Sequence, residues 1–186
     1  LTDIPIESVY SGVVSIRGLR IVIFLAELNK LGLWTTDIGN AYLEAYTSEK
    51  VYIIAGPEFG DREGHTLIIS KALYGLHSSG LRWSERLADV LRSMGFFPSM
   101  AEKDIWMRDM GDHYEYIAVY VDDLMILSKD PDVIIKALTE EHKFKLKGTG
   151  PTSFHLGCDF FRDGDGVLCY APKKYIEKIL ENYQRM

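Results

Sequence analysis

Two adjacent carboxylates, Asp122 and Asp123, interrupt an apolar stretch over residues 117–127 (IAVYVDDLMIL). Both flanks are apolar enough to form buried strands, so the pair is predicted to lie at the turn of a tight hairpin. Asp is ordinary in turns, but this turn lacks the Gly or Asn that a two-residue hairpin usually requires. Neighbouring carboxylates also repel each other unless a cation neutralises them. The pattern therefore predicts a bound divalent metal ion.

A second acidic element is expected, because Mg²⁺ takes hard oxygen ligands, commonly one or two carboxylates together with substrate phosphates. The best candidate is Asp37, which ends a predicted strand at residues 34–37. On its own, Asp37 would be a capping residue more often than a metal ligand. The metal hypothesis therefore requires that folding bring Asp37 beside Asp122 and Asp123.

Several segments with recognisable motifs follow one another along the chain. They are VVSIRGLRIVIFLAEL (13–28), TTDIGNAYL (35–43), KALYGL (71–76) with SSGLRW (78–83), YVDD (120–123), FKLKGTGPTSFHLGCDF (144–160) and PKKYIEKIL (172–180). Together they resemble the reverse transcriptases of copia-type LTR retrotransposons. The resemblance covers nearly the whole chain, and five motifs in the right order are far more specific than YVDD alone.

The resemblance implies an α+β fold, the right-hand polymerase palm, in which an antiparallel sheet packs on helices. It implies one catalytic domain over residues 1–186 with partial fingers and the start of the thumb. Residues 1–33 and 50–80 are expected to be fingers-like, and residues 34–49 and 81–150 to form the palm. Residues 151–186 are expected to hold the primer-grip hairpin and the first part of the thumb.

The implied activity is RNA-directed DNA polymerisation, in which deoxynucleotides are added to a primer by two-metal phosphoryl transfer. Asp37, Asp122 and Asp123 are then both the catalytic residues and the ligands of two Mg²⁺ ions, with Mn²⁺ as a possible substitute. Lys147 is the expected general acid, with Lys143 and Lys145 as alternatives.

The resemblance also assigns the substrate-binding residues. Tyr42 matches an aromatic gate that would clash with a ribose 2′-hydroxyl, the group that distinguishes RNA from DNA precursors. The full nucleotide-binding set is Ile38, Gly39, Asn40, Ala41, Tyr42, Tyr74 and Gly75, and the primer-proximal set is Tyr120, Val121, Phe154, Leu156 and Gly157.

The implied partners are an RNA or DNA template with its primer, deoxynucleoside triphosphates, and integrase and RNase H in the same polyprotein. The chain departs from the family pattern in HSSGLRW (77–83), where a Gln or similar residue and a Pro before the Arg are usual. The family's basic fingers residues would lie before Leu1, and its connection and RNase H parts after Met186. The activity of this piece alone therefore stays open.

The composition permits these inferences but does not require them. The chain has 186 residues, of which 47% are hydrophobic, and a net charge of −6, whereas nucleic-acid-binding proteins usually carry a basic face. One basic run lies at residues 142–147, and a solvated strand edge explains it equally well. Cys158 and Cys169 are expected to be reduced thiols in an intracellular protein, located in the cytoplasm or a virus-like particle, with no membrane association. The two cysteines flank the turn at residues 162–166, so facing strands could bring them close, and a disulfide between them is the open alternative.

Two other functions compete with polymerisation. The first is an inactive remnant that acts at most as a nucleic-acid-binding or structural fragment. The second is a metal-dependent nuclease that uses the same carboxylates, although a nuclease needs neither an aromatic gate nor the LYG segment (73–75).

Hydrophobic periodicity predicts the elements that must position these residues. Helices are predicted over residues 13–33, with Gly32 as the C-cap, and 81–94. Further helices are predicted after an Asp130–Pro131 start and after Pro172. Strands are predicted at 34–37, 51–54 and 66–69, and hairpins at 116–127 and 154–170.

Overall fold

The structure, a computed structural model, describes residues 12–184. Its α-helices are α1 (Ile16–Asn29), α2 (Ser79–Ser93), α3 (Pro131–Lys136) and α4 (Lys173–Gln184), and its strands are β1 (Gly32–Ile38), β2 (Tyr52–Ile54), β3 (Thr66–Ile68), β4 (Phe97–Pro98), β5 (Ile105–Asp109), β6 (Tyr114–Tyr120), β7 (Asp123–Ser128), β8 (Leu146–Pro151), β9 (Phe154–His155), β10 (Cys158–Arg162) and β11 (Leu168–Ala171). Short 3₁₀ helices cover Ala41–Glu44 and Pro57–Arg62, and a π-helical turn at Ala137–Glu141 continues α3. No helix in the described part of the chain is both long and apolar enough to cross a bilayer.

The principal sheet has six strands in the order β4-β5-β6-β7-β1-β8, and all neighbouring strands are antiparallel. A separate three-stranded sheet has the order β11-β10-β9, and β2 pairs with β3 as an isolated hairpin. The predicted α+β class, with helices and antiparallel sheet, is confirmed.

Both faces of the principal sheet are buried, which explains why β6 and β7 form a nearly continuous apolar run. Side chains alternate between the two faces: Ile117 and Leu124 pack toward α2 and α3, whereas Ala118 and Met125 pack toward α1. On the first face the core includes the helix residues Trp83, Leu87, Val90, Leu91, Ile134 and Leu138. On the second it includes Leu19, Val22, Ile23 and Ala26 of α1 and Phe160 of β10.

Several element boundaries differ from the sequence-based expectation. Helix α1 ends at Asn29, and Lys30 takes the left-handed C-cap conformation (φ 55°) that was expected of Gly32, which instead begins β1. Helix α3 starts at Pro131 as predicted, but the Asp130 side chain makes no capping hydrogen bond. Strands β4 and β5 were not predicted, because residues 97–109 mix polar and apolar residues without a clear period.

The hairpin between β6 and β7 also turns one residue earlier than predicted. Tyr120 pairs with Asp123, so the two turn residues are Val121 and Asp122, and Asp123 is the first residue of β7. Val121 has φ 59°, the left-handed region in which a β-branched residue is strained. In two-residue hairpins such a position is normally occupied by Gly.

Three elements hold this strained turn by its backbone. The amide of Val121 donates to the carbonyl of Gly12 (2.6 Å), and its carbonyl accepts from Trp83 Nε1 on α2 (2.7 Å). The carbonyl of Asp122 accepts from the amide of Ile38 at the end of β1 (2.9 Å). The turn therefore depends on the segment before α1, on the last residue of β1 and on α2.

We predict that Trp83→Phe loosens this turn. The indole is 1% exposed, and its loss leaves the Val121 carbonyl without its donor and a small cavity beside it. Stability should fall by about 2–4 kcal/mol. The amides of Val121 and Asp123 should exchange hydrogen faster. Trp106→Phe is the control, since Trp106 is also buried and its indole donates to no described residue. Equal exchange rates in the two variants would show that the hydrogen bond from Trp83 to the Val121 carbonyl does not stabilise the turn.

Candidate functional site

Four side chains form a row across the principal sheet at the end where β7 begins. Asp37 pairs directly with Asp123 on one side and with Lys147 of β8 on the other, and Asp123 pairs with Tyr120. Directly paired residues of antiparallel strands project to the same face of a sheet. The fold therefore places two carboxylates side by side, with a lysine and a tyrosine at the ends of the row.

The electrostatics of the row are dominated by burial and by repulsion between carboxylates. Burial raises the pKa of Asp37, the charge of Asp122 raises it further, and only Lys147 lowers it. Burial also raises the pKa of Asp123, and Asp122 and then Asp37 add to this rise. All three carboxylates thus act on one another, and the negative charge is not balanced by the side chains around it.

This donor set fits a hard divalent cation such as Mg²⁺. Within residues 12–184, no group of three or more His, Cys, Asp or Glu side chains is arranged so that it could hold a metal ion. Mg²⁺ commonly binds through one or two carboxylates and completes its shell with water and substrate phosphates. The observation that supports the fit is the uncompensated charge of the paired Asp37 and Asp123, whose raised pKa values a cation would lower.

The loop that follows Asp37 is shaped around Gly39. Its amide donates to the carbonyl of Lys145 (2.8 Å), and a Cβ at this position would lie 2.8 Å from Lys147 Cε. A side chain at position 39 would therefore collide with the lysine. Of the three lysines considered from the sequence, Lys147 is the one whose charge acts on Asp37.

The other residues expected to bind nucleotide follow directly. Asn40 adopts the left-handed conformation (φ 57°), and the buried Ala41 starts the 3₁₀ helix that carries Tyr42. Tyr42 is half-buried against the core on the α2 side, and its ring meets the ring of Tyr74 edge-on, with centroids 4.5 Å apart. Tyr74 and Gly75 occupy a turn just before α2, so the fold brings the second and first motifs together.

The residues expected near the primer divide between two places. Tyr120 and Val121 belong to the carboxylate hairpin, whereas Phe154 lies on β9 of the separate sheet. Leu156 (φ 47°) and Gly157 (φ 83°) form the turn between β9 and β10, which packs on the α1-side core through Leu156. Both cysteines, Cys158 and Cys169, are free thiols.

The sequence analysis missed the supporting residues of the site. Trp83 belongs to the buried core on the α2 side, and its indole also binds the carboxylate turn. Ser78 and Ser79 lay in a segment whose roles were open; Ser78 donates to Glu49, and Ser79 binds the backbone of Leu73. Their position between LYG and a predicted helix was the available signal, since polar residues at a helix start commonly make such bonds.

We predict that Asp123→Asn stabilises the protein near neutral pH. Because the folded-state pKa of Asp123 is raised, the parent loses stability as pH rises from the ordinary carboxyl pKa through the raised one. The variant avoids this loss. Its melting temperature should exceed that of the parent at pH 7, and the difference should disappear below the ordinary carboxyl pKa. Asp130→Asn, an exposed carboxylate beyond the other end of β7, should show no such pH-dependent gain; a similar gain there would refute the argument.

The chain is similar in sequence to proteins encoded by retrotransposons. The Pol polyprotein of transposon RE1 from Arabidopsis thaliana is 28% identical over 92% of this chain. The Pol polyprotein of transposon TNT 1-94 from Nicotiana tabacum is 25% identical over 97%. A putative transposon Ty5-1 protein of Saccharomyces cerevisiae is 27% identical over 76%. The chain spans 12%, 14% and 47% of the lengths of these three relatives.

A family model described as Reverse transcriptase (RNA-dependent DNA polymerase) matches residues 2–185. The match covers nearly the whole chain and includes every motif on which the resemblance to copia-type elements was based, so that resemblance is confirmed. This chain belongs to the reverse transcriptase family, on the branch found in the Pol polyproteins of copia-type retrotransposons.

Proposed function

We propose that this chain is the catalytic core of an RNA-directed DNA polymerase that extends a primer with deoxynucleotides. The observation that carries the proposal is the cross-strand pair Asp37–Asp123 beside Asp122, three carboxylates whose charges act on one another. Membership of the reverse transcriptase family supplies the reaction class. In this reaction class the carboxylates are the proposed ligands of the metal ions.

The carboxylates act by concentrating negative charge where cations must bind. Asp37 and Asp123 present oxygens from adjacent strands, and Asp122 adds a third from the turn. Asp37, Asp122 and Asp123 would hold two divalent ions, which would supply charge neutralisation at the primer 3′-hydroxyl and at the triphosphate. Lys147, at the end of the row beside Gly39, is the proposed proton donor to the leaving pyrophosphate, and its pairing with Asp37 supports this role.

The loop over residues 38–42 is proposed to receive the incoming nucleotide. Gly39 leaves room for the Lys147 side chain, whose ammonium group lies next to it and is proposed to meet the phosphates. Tyr42 follows on the 3₁₀ helix, with one side in the core and the other against Tyr74. A ring held in this way can exclude a ribose 2′-hydroxyl because it cannot retreat into the packed core.

We propose the division into subdomains that the family resemblance implies. The six-stranded sheet with α2 and α3 is the palm, which includes residues 34–49 and 81–150. The isolated β2–β3 hairpin lies within the fingers-like range 50–80, and β9–β11 with α4 form the primer-grip hairpin and the start of the thumb. Helix α1, in the fingers-like range 1–33, packs on the palm strands β6 and β7 and so marks the boundary.

Integrase and RNase H are proposed partners within a longer polyprotein. The relatives are named as Pol polyproteins, and this chain covers a small share of their length. Template, primer and deoxynucleoside triphosphates are the proposed substrates, and the cell interior or a virus-like particle is the proposed location.

The direct test is primer extension with Mg²⁺ by a longer protein that contains this chain. We expect Asp37→Asn, Asp122→Asn and Asp123→Asn each to reduce extension roughly 10³-fold or more, since each removes charge stabilisation from the transition state. Mg²⁺ should also raise the melting temperature of the parent but not of Asp123→Asn. Asp130→Asn should behave like the parent in both assays. Extension near the parent rate in the three site variants would reject the polymerase assignment.

A second test concerns sugar choice. Tyr42→Val should increase ribonucleotide incorporation relative to deoxyribonucleotide incorporation, because it opens space for the 2′-hydroxyl. The half-buried ring should cost less on truncation than the roughly 3–5 kcal/mol of a fully buried aromatic. Extension with each nucleotide type and thermal unfolding are measured on the same variant. A large loss of stability with unchanged sugar discrimination would identify Tyr42 as a core residue only.

A further inference from the structure

Burial does not explain the position of the Tyr74 side chain. It is 75% exposed, yet its ring lies edge-on against Tyr42 at 4.5 Å with an interplanar angle of 62°. Exposed tyrosines on loops usually lose little by rotating into solvent. The backbone that carries Tyr74 must therefore be what directs the ring.

That backbone is a tight turn closed by a hydrogen bond from the amide of Leu76 to the carbonyl of Leu73 (3.2 Å). Tyr74 and Gly75 are its central residues, and Gly75 has φ 98°. A positive φ at the third position of such a turn is the feature that selects glycine in type II turns. The turn thus fixes the direction in which Tyr74 leaves the chain.

Ser79, the first residue of α2, forms two hydrogen bonds with the first residue of this turn, Leu73. Its Oγ accepts from the amide of Leu73 (3.0 Å) and donates to the carbonyl of the same residue (2.6 Å). Ser79 is 2% exposed, so both bonds are shielded from water. One buried hydroxyl therefore ties the turn to the helix that also holds the carboxylate turn through Trp83.

The surroundings of Tyr74 connect it to the catalytic row. The pKa of its hydroxyl is raised, first by partial desolvation and then by Asp122, Tyr42 and Asp37. The ring therefore lies within the field of the same carboxylates on which the proposed chemistry depends.

We propose that Tyr42 and Tyr74 together form the wall that selects the nucleotide sugar, and that Ser79 is the positioning residue that holds Tyr74 in this wall. The inference rests on the proposed polymerase function and goes beyond a gate made of one ring. Tyr42 is packed on its inner side only, and Tyr74 supports it on the outer side. When Tyr74 is displaced, Tyr42 can tilt outward and admit a 2′-hydroxyl.

The variants follow from the contacts. Tyr74→Ala removes the supporting ring, whereas Tyr74→Phe keeps it. Ser79→Ala removes both bonds to Leu73 and leaves the two rings intact. Ser78→Ala is the matched control, because Ser78 is the neighbouring buried serine at the start of α2, and its hydroxyl bonds to Glu49 and not to Leu73.

The first measurement is the ratio of kcat/KM for deoxyribonucleotide and ribonucleotide in the longer polymerase that contains this chain. We expect Tyr74→Ala and Ser79→Ala to lower this ratio roughly three- to tenfold, the range set by loss of one aromatic pair. Tyr74→Phe, which keeps the ring, should lower the ratio less than Tyr74→Ala does, and Ser78→Ala should stay within about twofold of the parent, on the same scale. If Tyr42→Val relaxes sugar choice and Ser79→Ala does not, the inference is wrong and the proposed function stands.

The second measurement does not depend on activity. In protein labelled with 3-fluorotyrosine, the Tyr42 resonance, assigned by its loss in Tyr42→Phe, should shift in Ser79→Ala and stay in place in Ser78→Ala. An unchanged resonance in Ser79→Ala would overturn the positioning role. If the parent fails to extend a primer at all, the sugar wall is rejected together with the proposed function, whereas the fluorine result still reports on the two hydrogen bonds of Ser79.

Discussion

The structure of the site depends on a two-residue turn that is unfavourable by itself. Val121 occupies a left-handed conformation that costs a β-branched residue about 1–3 kcal/mol. The turn forms three hydrogen bonds, one each with Gly12, Trp83 and Ile38. These bonds offset the cost, and each contributes on the order of 1 kcal/mol. Because the turn is short, it allows one register between β6 and β7, in which Asp123 is the first residue of β7. The separate register between β1 and β7 places Asp123 opposite Asp37.

The carboxylates of the row are a second feature that lowers the stability of the fold. Asp37 and Asp123 are partly desolvated and face each other across neighbouring strands, and Asp122 adds a like charge from the turn. Lys147 compensates only at one end. The apolar packing on both faces of the sheet supplies the stability that permits such an arrangement. Local repulsion of this type is expected where a protein must attract cations rather than maximise its own stability.

The start of α2 joins the separate parts of the site. Ser78 binds Glu49 from the segment after the 3₁₀ helix, Ser79 binds the turn before Tyr74, and Trp83 binds the carboxylate turn. These three residues lie within six positions at the start of one helix, so one rigid element sets the relative positions of the turn that carries Tyr74 and the hairpin that carries Asp122 and Asp123. A shift of α2 would therefore move both together.

The amino-acid sequence by itself indicated the family and predicted most of the elements. The apolar flanks of Asp122 and Asp123 predicted a hairpin, and the motif order indicated the family, because both signals are local and survive without knowledge of packing. Only the tertiary structure decided that the turn begins at Val121 and that Lys147 lies beside Asp37. It alone revealed the bonds of Trp83 and Ser79. These features depend on strand register and on contacts between distant segments, and no periodicity along the chain encodes which backbone group a buried indole or hydroxyl will meet.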